Sequence, residues 1–299
     1  MAQSHILVGA NEAAPDPVVR RIAPSDLMDA LSRGWADFTA MPSHAVFLCV
    51  VYPLIGLLLA GLTLGQALVP LVFPIAAGFA LVGPIAALGL YELSRRREAG
   101  LAVSASDAFD VLRSPSIGAI VALGLGLTAW FMIWIAVANA IYVSSFGYGS
   151  PASIEQFLRD LFTTSAGWKL ILVGNAVGFL FAVAVLTMNV VTFPLLLDRE
   201  VGAMVAVLTS LRVVIANPVT MAMWGVIVAA LLLLGSTPLF LGLPVVLPVL
   251  GHATWHLYRK VVVADASPRA DFRAPPAGKH YAAEFPVSLL PGTRQTPPT

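Results

Sequence analysis

Two histidines one helical turn apart are the residues of this sequence whose spacing could bind a metal ion or a haem. His252 and His256 lie in the segment GHATWHLYRK, residues 251–260, at the end of a long apolar stretch. Side chains at positions i and i+4 share one face of a helix, an arrangement that some metal sites use. Zinc needs three or four ligands, and His44 is the one other histidine predicted near the same membrane interface. We therefore predict packing or lipid-headgroup contact for the pair and no cofactor, with metal ligation by the three histidines as the alternative.

The composition is that of a membrane protein. Of 299 residues, 58% are hydrophobic and 11% are charged, and the mean hydropathy is +0.86. Soluble globular domains carry about 25% charged residues. The net charge is +1 and the basic residues are scattered, so the sequence shows no nucleic-acid-binding surface.

Six apolar stretches are long enough to cross a bilayer, because a hydrocarbon core about 30 Å thick needs about 20 helical residues. They cover about 44–63, 67–91, 117–143, 169–196, 218–235 and 238–257. Each consecutive pair predicts a helical hairpin. Lys and Arg concentrate before the first stretch, after the second, between the fourth and fifth, and after the sixth. By the positive-inside rule, we predict a multi-pass protein of the bacterial inner membrane with both termini in the cytoplasm.

Both ends of the chain are predicted to be disordered cytoplasmic tails. Residues 1–23 lack the apolar core of a signal peptide, and residues 263–299 are rich in proline and cannot build a core. The membrane domain is therefore predicted to cover residues 24–262.

An internal similarity divides that domain into three units. Residues 25–42 predict an amphipathic helix at the membrane surface, with Asp37 on its polar face. The apolar positions of this helix are Leu27, Leu31, Trp35 and Phe38. A shift of 176 residues superimposes Pro42 on Pro218 without a gap. The same four positions then hold Ala203, Val207, Leu211 and Val214. A looser copy at 104–115 has Ala105, Ala108, Phe109 and Leu112 as its apolar positions.

This pattern predicts an all-α membrane protein with six transmembrane helices as three hairpins, each preceded by a cytoplasmic interfacial amphipathic helix. The units of the pseudo-threefold repeat cover about 24–100, 101–200 and 201–262. The alternative is that any interfacial helix entering a membrane span gives a similar pattern.

The outer loop at 144–168 is predicted to contain a further amphipathic helix. Ser153 and Gln156 have the spacing of a capping box. The apolar face that follows consists of Ile154, Phe157, Leu158, Leu161 and Phe162. We predict that this helix covers the bundle on its outer surface, with a lid or a docking surface for a periplasmic partner as the alternative.

The predicted spans hold few polar groups. No Asp, Glu, Lys or Arg falls at mid-depth, which argues against a proton- or ion-coupled carrier. Asn139, Asn175 and Asn189 remain as a polar interior or path, although hydrogen bonds between helices are the commoner use of such residues. The sequence contains no catalytic motif, so we predict no enzyme and no catalytic residue.

Four segments carry a resemblance to a known family: GPIAALGLYELSRRREAG (83–100), FPLLLDREVGA (193–203), LRVVIANPVTMAMWG (211–225) and GHATWHLYRK (251–260). Over about residues 18–262 the chain resembles an uncharacterised proteobacterial integral-membrane family whose members are sometimes labelled cytochrome c oxidase subunit I-like. The resemblance implies a membrane topology but no chemistry. A haem-copper catalytic subunit resembles twelve spans with six buried histidine ligands, which this chain does not offer.

We therefore predict a non-enzymatic accessory, assembly or scaffold component of the inner membrane, and the family label leaves a place beside a respiratory complex open. The alternative is a channel or carrier for a neutral or amphiphilic small molecule, lined by the proline-broken second and sixth spans. The expected partners are the lipid bilayer and either another membrane protein or a second copy of the chain, and not a nucleic acid.

Overall fold

Helices make up nearly all of the regular structure. The computed structural model describes residues 17–41, 70–71, 73–75, 78, 83–85, 87–237 and 241–264. The helices with defined bounds are α1 (Pro24–Ala40), α2 (Leu88–Glu98), the 3-10 helix η1 (Ala105–Arg113), α3 (Ile117–Phe146), α4 (Ile154–Thr163), α5 (Ser165–Asn189), α6 (Thr192–Asp198), α7 (Ala203–Ala216), α8 (Pro218–Ser236) and α9 (Leu243–Val261).

Three helical stretches are long and apolar enough to cross a membrane: Ile117–Phe146 (α3), Ser165–Asp198 (α5 with α6) and Pro218–Ser236 (α8). They confirm the third, fourth and fifth predicted spans, but the described residues contain three such stretches and not six. Most of the first two predicted spans lies outside the described residues. The sixth corresponds to α9, which is not among the three because histidine, arginine and lysine lower the hydropathy of its second half.

The apolar helices are paired as antiparallel hairpins. At the far end of the α3–α5 pair, the Lys169 ammonium donates a hydrogen bond to the Ser144 carbonyl (3.0 Å). A tighter connection joins α8 to α9, in which the Gly242 N–H donates to the Gly235 carbonyl (3.1 Å). A Cβ atom on Gly242 would lie 2.8 Å from the Gly235 Cα, so this close approach requires glycine at position 242.

Three short helices, α1, η1 and α7, each end two residues before a proline, at Pro42, Pro115 and Pro218. α1 and α7 also end with the same backbone geometry: φ and ψ are −134° and 45° at Met41, and −133° and 51° at Asn217. In both helices, the N–H of this residue donates to the carbonyls three and four positions before it. A proline disfavours the helical conformation at the residue before it, which explains why each helix stops there.

α1 and α7 pack against the protein with corresponding faces. α1 buries Leu27, Ala30, Gly34, Asp37 and Phe38, and α7 buries Ala203, Ala206, Thr209, Ser210 and Val213. The prediction was wrong for Asp37, which was placed on the polar face but is 5% exposed. The predicted apolar faces keep large side chains exposed: Trp35 in α1, Leu211 in α7, and Phe109 and Leu112 in η1. Large apolar side chains are stable against lipid, whereas small residues let helices approach closely.

The ends of α2, α6 and α9 pack against one another and form one end of the molecule, which we call the base. Each helix end carries the sequence Leu-x-Arg with its leucine buried: Leu93-Ser94-Arg95, Leu197-Asp198-Arg199 and Leu257-Tyr258-Arg259. η1 packs on α2 and α7 packs on α6, so each contacts the helix end that precedes it in the chain. α1, the first helix, packs on α9, the last. We call this α1–α9 contact the seam, because it closes the chain of contacts around the base.

Residues 17–23, predicted to be part of a disordered tail, are ordered beside the seam. Val19 and Val262 form an isolated antiparallel bridge. The Ile22 N–H donates to the Asn217 side chain (2.8 Å), which ties the segment to the start of α8. The prediction of disorder was wrong here because these backbone groups find partners in distant parts of the chain. Outside the described residues lies the rest of both predicted tails, 1–16 and 265–299.

The outer-loop helix α4 begins with the predicted cap, because the Gln156 N–H donates to the Ser153 hydroxyl (3.1 Å). Within its apolar face, Phe157 is the buried residue, and its ring packs against Tyr142 and Phe146. The exposed residues of that face are Ile154, Leu158 and Phe162. α4 therefore contacts α3 through this aromatic cluster and α5 near its C-terminal end, where Trp168 Nε1–H donates to the Phe162 carbonyl (3.1 Å). It does not lay its whole apolar face on the bundle.

Candidate functional site: the polar network at the seam

Asp37 is the centre of a buried polar network where α1, α2 and α9 meet. Its Oδ2 atom lies 2.6 Å from the Ser94 hydroxyl and 2.8 Å from His256 Nε2. Its Oδ1 atom accepts a hydrogen bond from Arg97 (2.6 Å), and the Ser94 hydroxyl lies 2.7 Å from His252 Nδ1. The two histidines predicted from their spacing are thus brought together through one carboxylate and one hydroxyl group. We call these five residues the seam network.

Helix geometry positions the network. Its partners on α2 are three residues apart and its partners on α9 are four apart, so each pair shares a helix face. Asp37 reaches both helices because α1 and α9 are unusually close. A Cβ atom on Gly34, one turn before Asp37, would lie 2.6 Å from the Ala253 nitrogen and 2.8 Å from the Val249 carbonyl oxygen. Glycine at position 34 is therefore a condition for the network to form.

The hydrogen bonds define where the protons lie. A carboxylate only accepts, so the Ser94 hydroxyl and His256 Nε2 both donate to Asp37. The single hydroxyl hydrogen of Ser94 points to Asp37, and His252 therefore donates its Nδ1–H to Ser94. Burial opposes ionisation of Asp37, but the hydrogen bonds from His256 and Ser94 hold its pKa below the usual 3.8. Asp37 is thus an ionised acceptor on which the donors of the network converge.

The network contains the residue types of a hydrolase triad but not its arrangement. In such a triad, the histidine takes the hydroxyl hydrogen and the carboxylate binds the histidine. Here Ser94 donates directly to Asp37, and its side chain is fully buried. Ser94 is therefore neither activated by a base nor accessible to a substrate.

The predicted metal alternative finds no third ligand in the part of the chain that the structure describes. His44 lies outside it, and no group of three or more His, Cys, Asp or Glu side chains within it could hold a metal ion. His252 is fully buried, so it packs inside the base and does not face lipid headgroups.

The structure does not assemble the three predicted asparagines into one polar path. Asn139 on α3 and Asn175 on α5 are exposed, and the Asn175 amide donates to the Ile171 carbonyl of its own helix (2.7 Å). Asn189 is buried at the end of α5 and donates to the Val185 carbonyl (3.0 Å). Asn139 and Asn175 therefore do not line a buried interior.

A second set of polar contacts fixes the three helix ends of the base. The Tyr258 hydroxyl donates to Asp198 (2.7 Å), and Arg259 reaches both Asp198 (3.4 Å) and Glu98 (3.0 Å). Trp255 Nε1–H also donates to Glu98 (3.0 Å). Burial opposes the charge of Arg259, but Glu98 and Asp198 together raise its pKa above the usual value. The base is therefore held by the ion pairs of Arg259 and by hydrogen bonds from two aromatic side chains.

Asp37, Ser94 and Arg97 are the members of the seam network that the sequence reasoning missed. All three look like ordinary surface residues, since Asp37 falls on the polar face of an amphipathic helix and the other two stand in a basic segment. The internal similarity contained a usable signal for Asp37. The 176-residue shift places Asp37 on Val213, an apolar residue, and a carboxylate at an otherwise apolar position indicates a buried partner.

One comparison with known proteins gives a match. Residues 72–198, less than half of the chain, match the family described as "Predicted integral membrane protein (DUF2189)". The matched segment contains α2, η1 and the hairpin of α3 and α5 with α6. No significant match was found among curated proteins or among solved structures. With the three candidate spans, the match identifies an all-α integral membrane protein in contact with the lipid bilayer, similar to a family of unknown function.

Proposed function

We propose that this protein is a non-enzymatic scaffold or accessory component of a complex in the bacterial inner membrane, with both termini in the cytoplasm. The observation behind the proposal is the base, in which polar side chains of α1, α2, α6 and α9 bind one another. A site of this kind stabilises a frame, whereas a catalytic site keeps a reactive group accessible to its substrate.

The proposed architecture is a pseudo-threefold repeat of a short helix, a proline and a two-helix hairpin. Three features support it: the matching ends of α1 and α7, their matching buried positions, and the Leu-x-Arg sequence at the three helix ends. α9 is the return helix of the hairpin that α8 begins. Its 19 residues reach about 28 Å, close to the thickness of the hydrocarbon core, which supports a crossing by α9.

The outward face of α5 supports a partner within the membrane. Leu172, Phe179 and Leu180 are exposed on this helix, and Asn175 is exposed among them. A Cβ atom on Gly174 would meet nothing within 4 Å. A glycine beside a polar amide on a lipid-facing helix is typical of a contact between membrane helices, because it combines close approach with a hydrogen bond.

The test is to purify the full chain with an affinity tag in native lipid discs and identify what accompanies it. We expect one membrane protein, or a second copy of the chain, in fixed stoichiometry. Gly174→Phe should remove it by blocking the α5 face. The matched control is Gly126→Phe, at a position on α3 that is equally open. The proposal is contradicted if the wild-type protein and Gly126→Phe both purify without a partner, or if the protein turns over a metabolite stoichiometrically.

The second candidate function is a carrier for an amphiphilic small molecule. An open groove on α8 favours it, lined by Val219, Ala222, Met223, Val226 and Ile227. All five side chains are apolar, so the groove suits an acyl chain and not a polar substrate. If this is the function, native mass spectrometry should show a bound lipid that Ala222→Phe displaces. Wild-type protein free of lipid would argue against it.

A further inference from the structure

The three short helices around the base are attached by different chemistry. η1 is attached through Arg96, which pairs with Asp107 (3.2 Å) and Asp110. On α7, the buried Ser210 hydroxyl donates to the Thr187 carbonyl (2.8 Å). α1 is attached at the seam through a histidine and a carboxylate. A guanidinium stays charged and a hydroxyl stays neutral across physiological pH, whereas histidine changes its charge there.

One helix position makes this difference clear. The residue five positions before the proline is Asp37 in α1, Asp110 in η1 and Val213 in α7, and all three are buried. Among the residues that the structure describes, Asp110 forms its ion pairs with two guanidinium groups, those of Arg96 and Arg113. Asp37 faces His256 as well as Arg97. The same position therefore carries a permanent ion pair in η1, an apolar contact in α7 and a titratable pair in α1.

We propose that His256 and Asp37 form a proton-operated latch that sets how tightly α1 is held against α9. A protonated His256 adds the attraction of two opposite charges to its hydrogen bond with Asp37, and a neutral His256 keeps the hydrogen bond alone. The His256 side chain is 12% exposed, so protons from the solvent reach it, whereas His252 behind it is fully buried. The latch tightens as the pH falls and loosens as it rises.

The other charges around His256 leave Asp37 as its dominant partner. Lys260, one turn later on α9, is neutralised by Asp26 and Asp29 of α1 (2.9 Å each). Arg97 of α2 opposes a charge on His256, but it is itself paired with Asp37. The other charged groups near α9 have partners of their own. Arg33 pairs with Asp29, and Glu92 pairs with Arg95 and Arg96. The charged side chains of the base pair with one another: Glu98, Asp198, Arg199 and Arg259. α8 contributes no ionisable side chain to this contact.

The latch has a mechanical consequence for the membrane surface. α1 exposes Met28 and Trp35 to its surroundings, and the segment before it is tied to Val262 and Asn217. Loosening the seam therefore frees a helix with exposed apolar side chains while its N-terminal segment stays attached. Such a helix can shift its position at the headgroup layer.

The experiment measures hydrogen exchange of the full chain in lipid nanodiscs at pH 6 and pH 8, by mass spectrometry and corrected for intrinsic rates. We expect the protection of α1 to be severalfold higher at pH 6 than at pH 8, because a charged His256 adds an ion pair to the hydrogen bond that closes the seam. His256→Gln, which keeps a hydrogen-bond donor but cannot take up a proton, should abolish the difference.

Two further variants make the test decisive. His256→Lys carries a permanent charge, so α1 should be protected equally at both pH values even if His256→Gln fails to fold. Asp110→Asn is the matched control, because it removes the equivalent carboxylate of η1 and should leave the pH response of α1 intact. The proposal is overturned if wild-type α1 is protected equally at both pH values, or if the response persists in either His256 variant.

Discussion

Gly34 determines how closely α1 approaches α9. There is no room for a Cβ atom at this position, because it would lie 2.6 Å and 2.8 Å from backbone atoms of α9. We expect Gly34→Ala to lower the free energy of unfolding by about 1–3 kcal/mol, the usual cost of overpacking. The measurement is the thermal unfolding midpoint in detergent, followed by tryptophan fluorescence.

The matched control for Gly34 is Gly126→Ala on α3. A Cβ at position 126 meets nothing within 4 Å, and alanine is the better helix former by about 1 kcal/mol. This variant should therefore unfold at the same temperature as the wild type or higher. Equal midpoints for the two variants would mean that the seam is not the tight contact described.

Asp37 predicts a loss of stability in acid. Hydrogen bonds in the folded protein hold its pKa below 3.8, so its contribution is fully present above about pH 4 and is lost as the pH falls through the lowered value. Asp37→Asn should lack this acid limb and be less stable at pH 6 by about 1–3 kcal/mol, since the donors keep only a neutral acceptor. Unfolding midpoints measured from pH 6 to pH 3 check both statements. An identical acid limb in the variant would assign the limb to other carboxylates.

At the residue scale, contacts between residues close in the sequence could be predicted, and contacts between distant residues could not. His252 and His256 could be found because four residues separate them, which is the period of a helix face. Asp37 and Ser94 could not, because Asp37 meets Ser94 across 57 residues and His256 across 219 residues. No periodicity within α1 distinguishes a buried carboxylate from a solvated one.

Among the elements, α4 packs on the bundle with one buried ring, that of Phe157. Phe157 packs against Tyr142 and Phe146, while Phe162 is 60% exposed. We expect Phe157→Ala to detach α4, so that protease cleavage within residues 150–164 rises severalfold. Phe162→Ala removes the same side chain from the exposed face and should raise the cleavage rate much less, because that side chain is mostly exposed. Equal cleavage of both variants would show that α4 is held in another way.

Element positions were easier to predict than element faces. α3, α5, α7 and α8 lie where the apolar pattern placed them, because a helix that crosses a bilayer must satisfy its backbone internally. Which residues of α1 pack against the protein could not be predicted, because the pattern only separates an apolar face from a polar one. Asp37 is buried although it was placed on the polar face. In lipid, large apolar residues can face outward, and small or paired polar residues take the inner positions.

At the scale of the whole molecule, closure of the base could not be predicted. Pairing of α1 with α9 joins the first and last described helices, and no local signal in either indicates the other. The internal similarity gave the units and their order. It did not show that η1 and α7 each pack on the helix end before them, or that α1 packs on α9.

Topology supplies the last prediction. η1, α7 and the end of α9 all lie at the base, so the connections at Leu101 and Glu200 and the chain after Val263 should share one side of the membrane. Gly149 and Leu241 lie at the far ends of their hairpins and should be on the other side. Green fluorescent protein should fluoresce when inserted at Leu101 or fused after Thr299, and alkaline phosphatase should be active at Gly149 and Leu241. The decisive fusion is the one after Thr299: if α9 did not return across the membrane, phosphatase would be active there, and the base as described could not form.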